Sequence, residues 1–129
     1  MRDLSVAKLA RFSDLGFDLG NCPVRSVLSH VSAKWTVLVL LLLQSGPKRF
    51  NALARGMPDV SKRMLTQSLR DLERDGLVAR QVFDTKPPSV EYRLTPLGES
   101  LMQPIEQLVD WATLKQSEIA DARARFVAA

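Results

Sequence analysis

Residues 59–76, DVSKRMLTQSLRDLERDG, are the stretch that decides the fold of this chain. Leu65, Leu69 and Leu72 are spaced i, i+4, i+7, so at 3.6 residues per turn they form one apolar stripe of a helix. Ser61 is a candidate N-cap, because its hydroxyl can accept from a first-turn amide, and Gly76 is a candidate stop. The stretch therefore predicts one bounded amphipathic helix.

The face opposite this stripe is rich in forked donors and amides. It carries Arg63, Gln67, Arg70 and Arg74, with Lys62 and Thr66 on one flank. Taken alone, such a face is typical of an ordinary solvated surface helix. The rest of the chain decides between that interpretation and a binding surface.

Composition places the chain among globular proteins of one domain. Its 129 residues are 46% apolar and 25% charged, which is enough for a core of its own. The single cysteine excludes an intrachain disulfide and fits a reducing compartment, so we expect a cytoplasmic protein. No secretory apolar region is evident near the N-terminus, and the apolar run Trp35–Leu43 is far too short to span a membrane.

Positive charge is concentrated around this amphipathic stretch. The formal net charge is +4, and residues 47–94 hold ten Lys/Arg against six Asp/Glu, whereas residues 95–129 hold three against five. A basic segment of this kind favours a polyanionic partner, although many domains are mildly basic for no special reason.

The chain before residue 59 predicts a helical core and a turn. Residues 33–44 are apolar on nearly all sides and predict a buried central helix, which ends at Ser45-Gly46-Pro47. Residues 48–50 predict a brief strand, and Asn51 is a candidate cap for a short helix through Arg55. Two helices joined by a tight Gly/Pro turn match the helix-turn-helix arrangement.

Beyond Gly76 the periodicity changes to that of strands. Residues 77–83 and 90–94 alternate between apolar and polar positions around a tip that contains Pro87 and Pro88. A hairpin directly after a recognition-type helix is a wing. We therefore predict a mainly α fold with a small antiparallel β-hairpin, a winged helix-turn-helix.

A long C-terminal helix follows, capped by Thr95 with Pro96 at its first position. Its apolar stripe is long for a terminal helix, and Pro104 within it predicts a kink or a split. The stripe consists of Leu97, Leu101, Ile105, Leu108 and Ala112, extended by Trp111, Leu114 and Ile119. Covering the core would explain part of it, but a dimer interface explains its length better.

Several motifs together resemble the HxlR-type winged helix-turn-helix regulators, relatives of the MarR group. They are Cys22-Pro-Val-Arg, Lys34-Trp35, Gly46-Pro-Lys-Arg-Phe50, Ser61-Lys-Arg-Met-Leu-Thr-Gln67, Leu69-Arg-Asp-Leu-Glu-Arg-Asp-Gly-Leu-Val78, Pro88-Ser-Val-Glu-Tyr92 and Leu94-Thr-Pro-Leu-Gly98. The resemblance covers about residues 22–112 and implies a homodimeric transcriptional regulator whose terminal helices form the dimer. Residues 1–21, an N-terminal arm, and 113–129, a helical extension, lie outside the resemblance. The arm is expected to pack on the domain or across a dimer, and the extension is a candidate for dimerisation.

On this interpretation the partner is double-stranded DNA with an inverted-repeat operator. Arg63, Gln67 and Arg70 are expected to reach base edges, since arginine pairs bidentately with guanine and glutamine with adenine. Phosphate contacts are expected from the helix start and from the wing. The residues predicted for them are Ser61, Lys62, Thr66, Lys86, Arg49 and Lys34.

Cys22 precedes a predicted short helix, with Pro23 at its first position and an apolar face of Val24, Val27, Leu28 and Val31. This position allows two interpretations. A thiol just before a helix start ionises more readily in the field of the helix dipole, and family members that sense oxidants or electrophiles resemble this chain in such a cysteine. The alternative is a small buried residue without chemistry. With one cysteine per chain, a response requires an inter-subunit disulfide, a mixed disulfide or alkylation by a small electrophile.

Other chemistry finds little support in the sequence. His30 has no neighbouring Cys or His, which favours packing or exposure over a metal site. No phosphate-binding glycine loop and no nucleophile–base pair has a recognisable context, so we predict neither an enzyme nor a cofactor. A winged-helix module that binds protein is the main alternative, and a redox enzyme built on Cys22 is a distant third.

Overall fold

The computed structural model describes residues 27–29 and 33–127. Its helices and strands are α1 (Lys34–Leu43), β1 (Lys48–Arg49), α2 (Phe50–Gly56), α3 (Lys62–Arg74), β2 (Val78–Phe83), β3 (Ser89–Leu94) and α4 (Pro96–Arg125). The predicted arm of residues 1–21, Cys22 and His30 lie outside the described residues. The mainly helical fold with a small antiparallel sheet is as predicted.

Helix α1 lies at the centre of the core. Val39 and Leu40 are fully buried, and the leucine stripe of α3 is buried against the same cluster. Full burial of one such side chain stabilises the fold by about 1.5–3 kcal/mol, so the stripe anchors α3 firmly. The two sequence predictions, a buried central helix and an α3 held by its leucines, are confirmed.

Both ends of α3 are capped as the sequence predicts. The Ser61 side chain accepts a hydrogen bond from the Met64 amide at 3.1 Å. At the other end Gly76 has a φ of +77°, and the amides of Gly76 and Leu77 donate to the carbonyls of Glu73 and Leu72. This pair of hydrogen bonds is the Schellman motif, which turns the chain directly from α3 into β2.

The sheet is antiparallel with strand order β1-β3-β2. Val78 pairs with Leu94 and Phe83 with Ser89, so residues 84–88 form the tip of the predicted hairpin. At that tip the Thr85 hydroxyl donates to the Pro87 carbonyl at 2.7 Å.

One local prediction is wrong, and one of the two alternatives for Pro104 is excluded. Asn51 does not cap α2, because the chain passes from β1 straight into the helix at Phe50, with Arg49 as its N-cap and no side-chain cap bond. Pro104 does not split the C-terminal helix, since α4 runs from Pro96 to Arg125 through it.

Helix α4 is joined tightly to the end of α3. Thr95 Oγ1 accepts from the Gly98 amide at 3.0 Å and donates to the Gly76 carbonyl at 2.6 Å. Gly98 packs so closely that an added Cβ would lie 2.1 Å from the Leu77 carbonyl oxygen. The cap of α4, its glycine and the turn after α3 therefore form one unit, which fixes the direction of α4.

Candidate nucleic-acid interface

Helix α3 presents its polar face to solvent because its apolar face is buried. Arg63, Gln67 and Arg70 are exposed. Arg63 makes no ion pair or hydrogen bond with the described part of the chain, so its five guanidinium donors are available to a ligand. The structure thus places the three predicted base-reading residues on an open helical face.

Gln67 and Arg74 share a network with one carboxylate. Gln67 Nε2 donates to Asp71 Oδ1 at 2.9 Å, and Arg74 Nη2 lies 3.4 Å from the same oxygen. Arg74 Nε also lies 3.6 Å from Asp75 Oδ1. In this arrangement Arg74 is neutralised locally, whereas Gln67 keeps its carbonyl oxygen free to accept a hydrogen bond from a base amino group.

The start of α3 combines three polar side chains with the open amides of its first turn. Ser61, Lys62 and Thr66 are all exposed. Although the Ser61 oxygen accepts from the Met64 amide, its hydroxyl proton is still available to donate. The geometry suits contacts to phosphate oxygens, which the helix dipole also favours.

Two further predicted residues lie at or beside the hairpin. Lys86 is exposed at the tip. Arg49 lies beside the start of β3, in a cleft of about 230 Å³ that Pro88, Ser89 and Val90 also line. Their cationic groups therefore flank the hairpin.

Lys34 is placed differently from the other predicted cations. Its Nζ lies 4.8 Å from the centroid of the Trp35 ring, a cation–π contact at the start of α1. No hydrogen bond or ion pair joins it to α3 or to the hairpin within the described residues. Its role as a phosphate contact stays a prediction.

Sequence reasoning missed three residues that lie beside the predicted face. Glu73, Arg80 and Tyr92 line one polar cleft of about 350 Å³ together with Thr66 and Arg70. Arg80 and Tyr92 lie opposite each other in the hairpin. The alternation of the two strands in the sequence could have predicted this pair. The packing of that sheet face against α3 is tertiary and has no local sequence signal.

The described residues contain no group of three His, Cys, Asp or Glu side chains arranged for a metal ion. In that same part of the chain, no helix is long and apolar enough to cross a lipid bilayer. The exposed polar face of α3 beside the hairpin is therefore the candidate binding surface of the described residues.

A capped helix that follows a tight turn, presents a basic face and adjoins a β-hairpin defines a winged helix-turn-helix protein. The model of the HxlR-like helix-turn-helix family matches residues 30–120. The chain therefore belongs to the HxlR-like family, and it is a helix-turn-helix transcriptional regulator.

Individual relatives agree with this assignment. The chain is 45% identical over 102 residues to the HTH-type transcriptional regulator YtfH of Escherichia coli (strain K12), a match that covers 79% of this chain and 81% of YtfH. A solved structure of a protein named as transcriptional regulator YtfH, from Salmonella typhimurium, superposes with a TM-score of 0.75 at 44% identity, covering 84% of this chain and 98% of that one.

A second solved structure carries a more specific name. The redox regulator HypR in its reduced form superposes with a TM-score of 0.73 at 36% identity, covering 78% of this chain and 99% of that chain. These relatives are named as regulators rather than enzymes.

Proposed function

We propose that this protein is a homodimer that binds double-stranded DNA sequence-specifically and inserts α3 into the major groove. The observation that carries the proposal is the outward polar face of α3, held by a buried leucine stripe beside the hairpin. The major groove admits an α-helix and presents a distinct donor and acceptor pattern for each base pair.

The proposal divides the predicted residues, apart from Arg70, between base edges and the DNA backbone. Arg63 and Gln67 read base edges, since they project from the outermost part of the helix. Lys86 reaches phosphate from the wing tip. Further backbone contacts come from Ser61, Lys62, Thr66 and Arg49, with Lys34 as the most distant candidate.

The proposed dimer rests on the exposed apolar face of α4. The structure divides the stripe seen in the sequence into two adjacent faces. Ile105 is buried in the core and Leu101 packs against it, whereas the next face stays open. Its large side chains have exposed fractions of 58% for Leu97, 53% for Leu108, 54% for Trp111 and 78% for Leu114. Several large apolar side chains exposed along one helix mark an interaction surface, and we propose that a second copy of α4, with its residues 113–125, covers it.

Two-fold symmetry then defines the operator. A homodimer presents two α3 helices related by a rotation, so it reads an inverted repeat with half-sites about one helical turn apart, roughly 34–36 Å. Residues 1–21 are proposed to contribute to the same dimer as an N-terminal arm.

Salt dependence tests the proposed DNA binding. Duplexes bound by the protein are selected from a random library, and the affinity of the best duplex is measured against salt. We expect log K to fall linearly with log salt, with a slope of about −0.9 for each neutralised phosphate. An affinity that hardly changes with salt, or selection of no duplex, would contradict DNA binding and favour a winged helix that binds protein.

We further propose that Cys22 makes this regulator responsive to oxidants or electrophiles. The likeness to a protein named as a redox regulator supports this, together with the position of Cys22 before a predicted helix. The thiolate would be oxidised to a sulfenic acid that condenses with a second thiol, from the partner subunit or from a small molecule, or would be alkylated directly.

The response of Cys22→Ser tests this second proposal. Treatment with peroxide or a quinone is expected to shift the wild-type affinity for its operator by roughly 5- to 150-fold, the usual size of such coupling. Cys22→Ser should bind the untreated operator normally and show no shift. If the variant kept the full response, Cys22 would not be the sensor.

A further inference from the structure

A polar cleft lies between one flank of α3 and the sheet. It has a volume of about 350 Å³ and lies next to the face of α3 that is proposed to read bases. Its walls are formed by Thr66, Arg70, Glu73, Arg80 and Tyr92. Three of these residues have no role in the proposed function so far.

Strand register and helical spacing bring these side chains together. Arg80 on β2 pairs with Tyr92 on β3, so both side chains lie on one face of the sheet. The next pair on that face, Val78 and Leu94, packs in or against the core, so this face is turned toward the helices. Thr66, Arg70 and Glu73 follow one another at i, i+4 and i+7 along a single flank of α3.

The chemistry of the cleft favours an oxyanion. Two guanidinium groups and two hydroxyl groups supply hydrogen-bond donors, against a single carboxylate. The ion pairs described on α3 are those of Arg74, and neither Arg70 nor Arg80 takes part in them. Because guanidinium groups match phosphate oxygens bidentately, two of them at one cleft suit a phosphodiester better than a carboxylate-bearing side chain.

In a duplex bound through α3, the sugar–phosphate backbone would bring a phosphate group to this cleft. When α3 lies in the major groove and the hairpin reaches toward the minor groove, the sugar–phosphate strand that separates the two grooves passes between them. We propose that the cleft binds one phosphate of this strand, with Arg70 and Arg80 as the charged donors and Thr66 and Tyr92 beside them. This inference rests on the proposed DNA binding and assigns Arg70 to the backbone rather than to a base.

Glu73 has a defined part in this site. In the free protein its carboxylate lies in a cleft with two cationic side chains and reduces their mutual repulsion. When a phosphate enters, the same carboxylate repels it. Glu73 therefore weakens binding to every duplex without affecting the choice of sequence.

Arg80→Ala tests the phosphate site, with Arg93→Ala as the matched control. Arg93 lies on β3 with its side chain on the other face of the sheet, where it donates to Gln81 at 3.5 Å. Both variants lose one positive charge from the sheet. We expect Arg80→Ala to weaken binding to selected and random duplexes by the same factor and to reduce the salt slope by about 0.9 per subunit. Arg93→Ala should retain the wild-type slope.

The remaining outcomes separate this inference from the proposed function. If the wild-type chain bound no duplex in a salt-dependent manner, the proposed function would fail. If the wild-type chain bound but Arg80→Ala behaved like Arg93→Ala, the phosphate site alone would be refuted. Glu73→Gln is expected to raise the affinity for both duplexes, and the absence of any rise would also overturn the site.

Discussion

Replacing Trp111 by aspartate is expected to convert the proposed dimer into a monomer and to remove most of its operator affinity. Trp111 is 54% exposed on the apolar face of α4, so the substitution leaves the core untouched. A charge placed at the centre of an apolar interface would have to be buried without a partner, which strongly opposes association.

The size of the effect follows from bivalency. A dimer that engages one half-site holds its second α3 near the other half-site, and such linkage raises overall affinity by about 10²- to 10⁴-fold. A monomeric variant loses this factor for the inverted repeat. It should keep the weaker affinity for an isolated half-site, because α3 and the hairpin are unchanged.

Light scattering after size exclusion measures the mass, and a duplex titration measures the affinity. Thr113→Asp is the matched control, since Thr113 is exposed on the same helix but points away from the apolar face, about 160° around the helix axis from Trp111. Surface substitutions of this kind usually change stability by less than about 0.5 kcal/mol, so both variants should unfold close to the wild-type midpoint. A Trp111→Asp protein that remained dimeric would exclude this face as the interface.

Much of the fold could be predicted because its signals are local. Ser61, Gly76 and Thr95 act within a few residues of their own position, by a side-chain cap or a left-handed turn. The strands follow from alternation, and the helices from the spacing of their leucines. Each of these features depends on the backbone near one residue, which the sequence describes directly.

Predictions failed where neighbouring elements compete. Asn51 is a good N-cap residue when taken by itself. However, β1 ends at Arg49 and the helix begins at Phe50, so Arg49 is at the N-cap position and Asn51 lies inside the helix. Likewise the apolar stripe of α4 is continuous in the sequence. Packing against the core buries Ile105 and leaves Trp111 exposed, and only the tertiary structure separates the two faces.

The candidate site likewise combines residues that local sequence signals predict with residues that only tertiary packing brings together. The outward face of α3 followed from helical periodicity alone. Arg80 and Glu73 could not be assigned to a site, because their shared cleft depends on how the sheet packs against α3. The position of the hairpin relative to α3 is fixed by the turn at Gly76 and by the burial of Leu77 and Val78.

Arg63→Ala is expected to relax the sequence preference of the protein, with Lys62→Ala as its neighbouring control. Arg63 is exposed and unpaired within the described residues, whereas the Gln67 amide already donates one hydrogen bond to Asp71 and keeps only its second N–H and its carbonyl oxygen for a base. Arg63 is therefore the strongest candidate for a bidentate contact to guanine.

One bidentate contact discriminates between bases by about 1–3 kcal/mol, which corresponds to roughly 5- to 150-fold in affinity, and a homodimer makes it twice. Arg63→Ala should therefore lose affinity for the selected operator much more than for random duplex. Lys62→Ala removes a predicted phosphate contact, so it should weaken both complexes equally and leave their ratio unchanged.

The ratio of the two affinities, measured at one fixed salt concentration, distinguishes these roles. A repeated selection with Arg63→Ala should also show a loss of preference at one base pair in each half-site, in symmetric positions. If instead Arg63→Ala left the ratio unchanged, Arg63 would contact only the backbone. Base reading would then have to be assigned to Gln67, whose carbonyl oxygen is the next available group on the same face of α3.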